Sequence, residues 1–414
     1  MLSRKMIDSD NDSVKEFAPC PDSIAVIGGG RWARVLTEVL CGIVPPSVGI
    51  SIHSLHNARS MSAWVAERGL GQRIHASSDW PQLLSEKASA VIVANAARDH
   101  ERAIEWALSV GVPVLVEKPI ALTAAAAQRL VNLARSRNVR FAGAHVFLFA
   151  RYIENCSRLV AEAGGVRSLQ VRWMDPQFEN RYGTRKQYDP GLPVFADWLP
   201  HVLSIVGTLT PSLPQRCEKL EFLRGGAHLE LELMLGDIPC SVQLVRNGDR
   251  RQRIIEVATG QKLLQLDFSK EPGTIISDST KIDGDPDWEV KGRPVARMLM
   301  AFLQWAAGGE FDSRLNIEIG LRVSHVIDQT LRLYRSALMP WLIAKLAASP
   351  GEVDDDLRYA LSEMLQSEGS LPATTIEQQI ERVRQQLSGT ADTHWFSALA
   401  EAQDPAMILR SIAT

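Results

Sequence analysis

The strongest constraint on the fold is the alternation of apolar and helical segments between residues 23 and 143. Ser23–Ile27 (SIAVI) is rich in β-branched residues and ends in three glycines, which is typical of a buried parallel strand. Strands are also predicted at Gly49–Ser54, Arg73–Ala76, Ala90–Ala94, Val112–Val116 and Val139–Gly143, with helices at Trp32–Cys41, Ser60–Arg68, Trp80–Leu84, a segment beginning near Asp99, and a segment capped by Thr123 that continues to Arg137. Parallel strands need crossover connections, so this α/β pattern predicts a doubly wound parallel sheet.

A different pattern begins after Phe149. Helices are predicted at 151–163 and 194–207, and a strand at Val166–Met174. Five alternating segments with glycine-containing turns between Cys217 and Phe268 predict an antiparallel meander. We expect an α+β domain with an open antiparallel sheet, closed by helices over 293–308 and 315–337.

The predicted organisation has four parts. Residues 1–21 form a flexible tail, 22–149 the dinucleotide-binding Rossmann domain, 150–340 the α+β domain for substrate and oligomerisation, and 341–414 a helical C-terminal extension. Helices in the extension are expected near 354–367 and 373–388, where they could cover the open sheet, form an oligomer contact or dock a partner.

Composition narrows the functional classes. The 414 residues carry a net charge of −3, which disfavours nucleic-acid binding, and no apolar segment is long enough for a membrane span. The first twenty residues lack the apolar core of a signal peptide. The five scattered cysteines form no C-x-x-C pair, so neither a metal site nor a disulfide framework is predicted. A cytoplasmic location is expected.

A glycine loop follows the first predicted strand. Gly28-Gly29-Gly30-Arg31-Trp32-Ala33 fits G-x-G-x-x-A at the start of a helix. In such a loop Gly28 allows the sharp turn, Gly30 lets the backbone approach a pyrophosphate, and Ala33 allows close packing of the helix on the sheet. Together with Arg31 and Trp32, these residues are predicted to bind a nicotinamide dinucleotide.

The end of the second predicted strand bears on the choice between NAD and NADP. An NAD site would place an acid there to bind the ribose hydroxyls, but the segment from Ser51 to Ser60 contains neither Asp nor Glu. The residues suited to hold a 2′-phosphate are Ser54, Asn57, Arg59 and Ser60, the arginine through charge-assisted hydrogen bonds. NADP(H) is therefore predicted in preference to NAD(H), although these residue types also occur at ordinary helix starts.

Several ordered motifs resemble the Gfo/Idh/MocA oxidoreductases. They are the glycine loop, the segment with Asn95 and His100, the sequence Glu117-Lys118-Pro119 after a strand, and Asp197-Trp198-Leu199-Pro200-His201 in the second domain. The resemblance covers roughly residues 22 to 340. It implies a Rossmann domain followed by an α+β domain whose open sheet often serves assembly, and hence a homo-oligomer.

The resemblance also implies roles for individual residues. Lys118, Asp197 and His201 become the catalytic candidates, and Asn95, His100, Glu117 and Lys118 join the cofactor-binding set. Hydride transfer between an alcohol and nicotinamide requires a proton donor or acceptor. Lys118 and His201 both suit that role, and the resemblance leaves the choice open. The segment from Asp189 to Ala196 departs from the glycine-rich run of the family and puts the substrate class in doubt.

Two structural alternatives accompany these assignments. Pro200 is tolerated best in the first turn of a helix, so Asp197 could be an N-cap and His201 an inward-facing residue without a catalytic role. The preceding loop carries Arg181, Arg185, Lys186 and Tyr188, which could hold an anionic substrate. Nearby acids balance these cations, and a solvated loop is the preferred interpretation.

The functional hypothesis is an NADP(H)-preferring oxidoreductase that acts on a carbinol or carbonyl of a small polar metabolite such as a sugar or cyclitol. One alternative is an imine reductase of a secondary-metabolite pathway, with a carrier-bound substrate. Another is a regulator that binds the dinucleotide without turnover, against which the presence of Lys118, Asp197 and His201 argues.

Overall fold

The computed structural model describes residues 19–78, 88–181, 184–185, 188–189, 191–210, 215–289, 292–348, 353–366 and 373–389. Most of the predicted N-terminal tail and the whole of the predicted helix at Trp80–Leu84 lie outside the described residues, as does the end of the C-terminal extension. In the described part of the chain no helix is both long and apolar enough to cross a membrane.

The first unit is a six-stranded parallel sheet. Its strands are β1 (Ser23–Ile27), β2 (Gly49–His53), β3 (Ile74–Ser77), β4 (Ala90–Val93), β5 (Val114–Glu117) and β6 (Phe141–Ala144), in the order β3-β2-β1-β4-β5-β6. The helices are α1 (Arg31–Ile43), α2 (Ala58–Glu67), α3 (His100–Ser109) and α4 (Ala124–Ser136). They cover both faces of the sheet, because α1 and α2 contribute to one apolar core and α3 and α4 to the other. The prediction of a doubly wound sheet is confirmed.

The second unit contains an eight-stranded sheet. After α5 (Arg151–Glu162) come β7 (Val166–Pro176), the two-residue strands β8 (Asn180–Arg181) and β9 (Thr184–Arg185), and α6 (Val194–Leu209). The remaining strands are β10 (Gln215–Leu223), β11 (His228–Leu235), β12 (Ile238–Gly248), β13 (Gln252–Thr259), β14 (Leu263–Asp267), β15 (Thr274–Ser277) and β16 (Thr280–Asp283). Their order is β10-β11-β12-β7-β13-β14-β15-β16, with β8 and β9 forming a separate hairpin.

The expected simple meander is wrong at the centre of this sheet. β7 lies between β12 and β13, parallel to the former and antiparallel to the latter. The turn after β12 therefore spans the end of β7 and does not close a hairpin. β7 is an 11-residue strand whose buried residues alternate with exposed ones, so it fills a central position. Local turn residues could not reveal this, because the inserted strand lies more than sixty residues away in the sequence.

The later helices differ from the predicted arrangement. α7 (Pro294–Ala306) buries Met298, Leu299 and Phe302 in the core of the parallel sheet, although it was expected to close the second domain. α8 (Ile317–Ala348) continues through Pro340 and beyond its predicted end. α9 (Asp355–Gln366) and α10 (Ala373–Gly389) follow near their predicted positions.

α9 is anchored in the core of the second unit. Leu357, Ala360 and Leu361 are almost completely buried there together with residues of α6 and β11. The carbonyl oxygen of Asp356 lies against Gly225, where a Cβ would come within 2.0 Å of it. The first helix of the C-terminal extension is therefore an integral layer of this core.

Candidate active site

The glycine loop lies where β1 and β4 are neighbours. The crossovers of these two strands leave in opposite directions, which forms the crevice where doubly wound sheets bind ligands. Gly28 has φ +143°, and a Cβ there would lie 2.4 Å from the carbonyl oxygen of Ala94. Only glycine satisfies both conditions.

The start of α1 is open to a ligand. Gly30 precedes α1 with φ −80°, and among the described residues nothing beyond its chain neighbours would lie within 4 Å of a Cβ built on it. No side chain in the described part of the chain caps α1, and its first turn contains no acid. Ala33 is fully buried against the sheet, as predicted for the last position of the motif. Backbone N–H groups that are left free at a helix N-terminus can donate hydrogen bonds to the oxygens of a pyrophosphate.

Glu117 ends β5 beside this loop. Its carboxyl is almost fully buried, and this burial raises the pKa of Glu117. Trp32 and Lys118 lower that pKa, but they offset only part of the increase. The backbone N–H of Lys118 donates to Glu117 Oε2 at 3.4 Å. Trp32 and Arg31, both partly exposed, begin α1.

The β2–α2 connection borders the glycine loop. Ser54 Oγ accepts from the backbone N–H of Asn57 at 3.1 Å, and a Cβ on Gly29 would meet that Oγ at 2.4 Å. Arg59 is exposed in the first turn of α2. Arg34 adds a second cation here, because its guanidinium donates to Ser60 Oγ at 3.3 Å. The structure thus brings Ser54 and Asn57 next to the glycine loop, and Arg59 follows two residues later in the chain.

Asn95 and His100 tie together the loops that follow β4 and β5. The two ring nitrogens of His100 face the carbonyl oxygens of Pro119 at 2.7 Å and Asn95 at 3.3 Å. Burial lowers the pKa of His100 to about 4, so only one nitrogen carries a proton at neutral pH. Asn95 donates its amide to the carbonyl of Asp99 at 3.1 Å. The structure gives His100 a positioning role, while its contact with a cofactor stays a prediction.

Lys118 joins the two units. It follows β5 and forms a cis peptide bond with Pro119. Its Nζ donates to both Oδ1 and the backbone oxygen of Asp197, each at 2.7 Å. α6 begins at Val194 after Pro193, so Asp197 lies in its first turn and the N-cap alternative is wrong. The structure therefore brings together two catalytic candidates 79 positions apart in the chain.

His201 follows one helical turn after Asp197. Its ring stacks on Trp173 with centroids 5.7 Å apart and meets the edge of Phe147 at 5.1 Å. Burial, and then the charge of Lys118, lower the pKa of His201 well below its ordinary value. The imidazole is therefore neutral at neutral pH, whereas Lys118 holds an ion pair with Asp197.

Sequence reasoning missed three charged residues beneath this cluster. Arg246 of β12 donates through Nη2 to Asp197 Oδ2 at 3.3 Å, and its side chain is 2% exposed. Arg253 of β13 donates to Oδ1 of Asp175, a fully buried residue, at 2.5 Å. The alternation of buried residues in β7, β12 and β13 held the signal, because it places all three charges on the covered face.

His145 is a further residue that the sequence did not single out. It follows β6, is 2% exposed and packs against Gly143 and Gly320. Neither ring nitrogen has a hydrogen-bond partner among the described residues. Burial and the charge of Lys118 lower its pKa to about 4. Its position at the carboxyl end of a parallel strand could have marked it.

The loop before α6 is only partly described. The side chains of Arg181, Arg185 and Lys186 lie outside the described residues. Tyr188 faces the guanidinium of Arg246 at 4.6 Å, so this part of the loop packs onto the site and is not simply solvated. Asp189 pairs with Arg98 at 2.9 Å and links the loop to the first unit.

Comparisons with known proteins agree with this geometry. The family model GFO_IDH_MocA, described as an oxidoreductase family with an NAD-binding Rossmann fold, matches residues 23–145. No curated protein sequence matches the chain.

Similar solved structures cover about three quarters of the chain. One is the UDP-N-acetylglucosamine 3-dehydrogenase GnnA from Acidithiobacillus ferrooxidans (20% identity, TM-score 0.63, 76% of this chain and 98% of that chain). Another is the 3-ketoreductase KijD10 from Actinomadura kijaniata, solved with NADP and TDP-benzene (19% identity, TM-score 0.59, 74% and 96%). A third is biliverdin reductase from Synechocystis sp. PCC 6803, solved with biliverdin and NADP+ (19% identity, TM-score 0.58, 75% and 98%).

At these identities the solved structures establish the fold, and the family model establishes the class of cofactor domain. Both agree with the resemblance that the motifs indicated. Residues 23–145 of this chain therefore match an oxidoreductase family with an NAD-binding Rossmann fold, and the chain shares its fold with solved dehydrogenases and reductases.

Proposed function

We propose that this protein uses NADP(H) to interconvert a carbonyl and a carbinol on a small polar metabolite, a sugar, cyclitol or nucleotide-linked sugar. The observation that carries the proposal is the bond from Lys118 Nζ to Asp197 at the carboxyl end of β5. It places an ammonium in the region of the sheet where the glycine loop would hold a dinucleotide.

The residues around the crevice fit the cofactor. The open N-terminus of α1 and Gly30 would receive the pyrophosphate, and Ser54, Asn57 and Arg59 would receive the 2′-phosphate. When bound, the nicotinamide supplies or accepts the hydride.

Lys118 is the better candidate for proton transfer. In the reducing direction the substrate oxygen gains a proton as its carbon gains the hydride, and the Lys118 ammonium supplies it. Asp197 holds that ammonium in place. His201 is neutral at neutral pH because burial and Lys118 lower its pKa, so it can orient the substrate oxygen but carries no spare proton. In the oxidising direction a neutral Lys118 accepts the hydroxyl proton.

Relatives of this fold support the polar-metabolite class. GnnA is a dehydrogenase of a nucleotide-linked sugar, and KijD10 is a ketoreductase solved with NADP. Assembly through the open face of the second sheet, and docking of a partner by the C-terminal region, stay predictions.

The test compares the wild-type protein with Lys118→Met. Oxidation of NADPH is followed with a panel of free and nucleotide-linked ketosugars, cyclitol ketones and cyclic imines, and NADPH binding is measured separately by fluorescence. We expect Lys118→Met to lose turnover by about 10²–10⁴-fold, the usual contribution of a positioned acid, while it still binds NADPH through the glycine loop. Turnover of imines alone would favour an imine reductase. Tight binding of NADPH without turnover of any substrate would favour a regulator.

A further inference from the structure

We propose that α9 of the C-terminal region is part of the active site: Tyr359 holds Arg246, and Arg246 sets how the Asp197 carboxylate is shared with Lys118. Arg246 and Tyr359 are positioning residues. This inference rests on the proposed roles of Lys118 and Asp197.

The first step is the division of the Asp197 carboxylate between two cations. Oδ1 accepts from Lys118 at 2.7 Å, and Oδ2 accepts from Arg246 at 3.3 Å. The shorter bond goes to Lys118, which is partly exposed, and the longer one goes to the buried arginine. Because both cations draw on one carboxylate, any change that strengthens one bond weakens the other.

The second step is the set of acceptors that restrains Arg246. Its Nη1 donates to the phenolic oxygen of Tyr359 at 3.0 Å and to the carbonyl of Leu192 at 3.2 Å. The rings of Tyr188 and Trp198 cover the guanidinium at 4.6 and 5.6 Å. The Tyr359 oxygen therefore draws one guanidinium nitrogen away from Asp197.

The third step is the rigidity of α9. Tyr359 lies between Leu357 and Ala360, both 1% exposed in the core of the second unit. One turn further on, Glu363 accepts from the hydroxyl of Tyr334 of α8 at 2.7 Å. Arg224 pairs with Asp356 at the start of the helix. The Tyr359 oxygen is thus held in place from both ends of α9.

Two substitutions should change the site in opposite directions. In Tyr359→Phe the Nη1 of Arg246 keeps only the Leu192 carbonyl as an acceptor, so the guanidinium turns toward Asp197, competes with Lys118 and leaves the lysine less firmly held as an ammonium. In Arg246→Met a neighbouring positive charge disappears and Asp197 serves Lys118 alone, so the ammonium is held more firmly.

The experiment measures how fast Lys118 is acetylated by acetic anhydride at one mildly alkaline pH. The full-length protein is used without cofactor or substrate, and the modified lysine is quantified by mass spectrometry. Only the neutral amine reacts, so we expect several-fold faster labelling of Lys118 in Tyr359→Phe and several-fold slower labelling in Arg246→Met. The control is Tyr152→Phe, which deletes another buried hydroxyl, bonded to Glu271 at 2.7 Å, in the same unit.

Unchanged labelling in Tyr359→Phe, or an equal change in Tyr152→Phe, overturns the proposal. Because no substrate is needed, the result stands even if the carbonyl substrate class is wrong. If Arg246→Met does not fold, as judged by its thermal transition, the Tyr359→Phe comparison decides alone.

Discussion

The two sheets of this protein place their functional residues differently. β4, β5 and β6 of the parallel sheet are buried at every position, and its candidate residues follow the strand ends. In the second sheet buried and exposed residues alternate, and Asp175, Arg246 and Arg253 lie within strands on the covered face. A strand covered on both faces has room for polar groups only at its ends, whereas a one-sided sheet can carry charges inside if they are paired.

The candidate residues that follow the ends of the parallel strands, among them the glycine loop and Arg59, form what we call the strand-end region. The sharpest test of this region is Gly30→Ala. A Cβ at Gly30 has free space and a permitted φ, so the protein should fold normally. The methyl group would lie where the backbone at Gly30 must approach the pyrophosphate of the dinucleotide. We expect loss of measurable NADPH binding in a fluorescence titration, with an unchanged thermal transition.

Gly42→Ala is the matched control, because Gly42 lies in α1, the helix that Gly30 precedes, and also has free space around it. It should keep NADPH affinity and gain a little stability. Equal binding by Gly30→Ala and the wild-type protein would remove the glycine loop from the cofactor site.

For the in-strand charges the test is Asp175→Asn. Asp175 is fully buried and bonded to Arg253 and Arg251, so its loss leaves a buried guanidinium without its counter-ion. We expect the free energy of unfolding to fall by about 3–5 kcal/mol. Urea denaturation measures this change.

The control is Asp328→Asn, which removes a partly exposed pair with Arg332 on α8. It should cost less than about 1 kcal/mol. Similar losses in the two variants would mean that the buried charges of the second sheet contribute no more than surface ones.

Arg59→Ala tests the nucleotide side of the strand-end region. Charge-assisted hydrogen bonds to a phosphate are worth about 1.5–3 kcal/mol, so NADPH affinity should fall on the order of ten- to a hundredfold. NADH affinity should not change. Arg68→Ala, at the far end of the same helix and paired with Glu38, should leave both affinities unaltered. An equal loss for NADPH and NADH would contradict the 2′-phosphate assignment.

Glu363→Gln tests a buried carboxyl of the second unit, and its effect on stability depends on pH. Burial raises the pKa of Glu363 from 4.5 to about 7, so the folded state binds this proton more tightly than the unfolded state does. The stability that the group contributes therefore decreases as pH rises from about 4.5 to 7, and the penalty persists above 7.

Glutamine cannot ionise and can still accept from Tyr334. The variant should be modestly more stable than the wild-type protein above pH 7, with a flatter dependence below it, as measured by urea denaturation across this range. Glu232→Gln, at an exposed carboxylate, is the control. A variant with the same pH dependence as the wild-type protein would show that Glu363 is ionised throughout.

The sequence predicted which residues belong to the candidate site better than it predicted the contacts between them. The glycine loop, Lys118 and Asp197 stood out because a motif or a strand end marks each of them locally. The insertion of β7 between β12 and β13, and the packing of α7 on the first unit, did not stand out, because both depend on pairing between distant segments. The period of two in their strands could have predicted that Arg246 and Asp175 are buried. No pattern of neighbouring residues predicts which charged groups they pair with.

The sequence alone determined the parallel sheet and the glycine loop at its first strand, because strand–helix alternation and a glycine turn are encoded within a few neighbouring residues. Only the tertiary structure decided that Lys118 meets Asp197 across two units, that Arg246 shares the same carboxylate, and that α9 reaches this cluster through Tyr359. These contacts join positions 49 to 113 residues apart. Their geometry is set by the packing of whole layers, which no local pattern records.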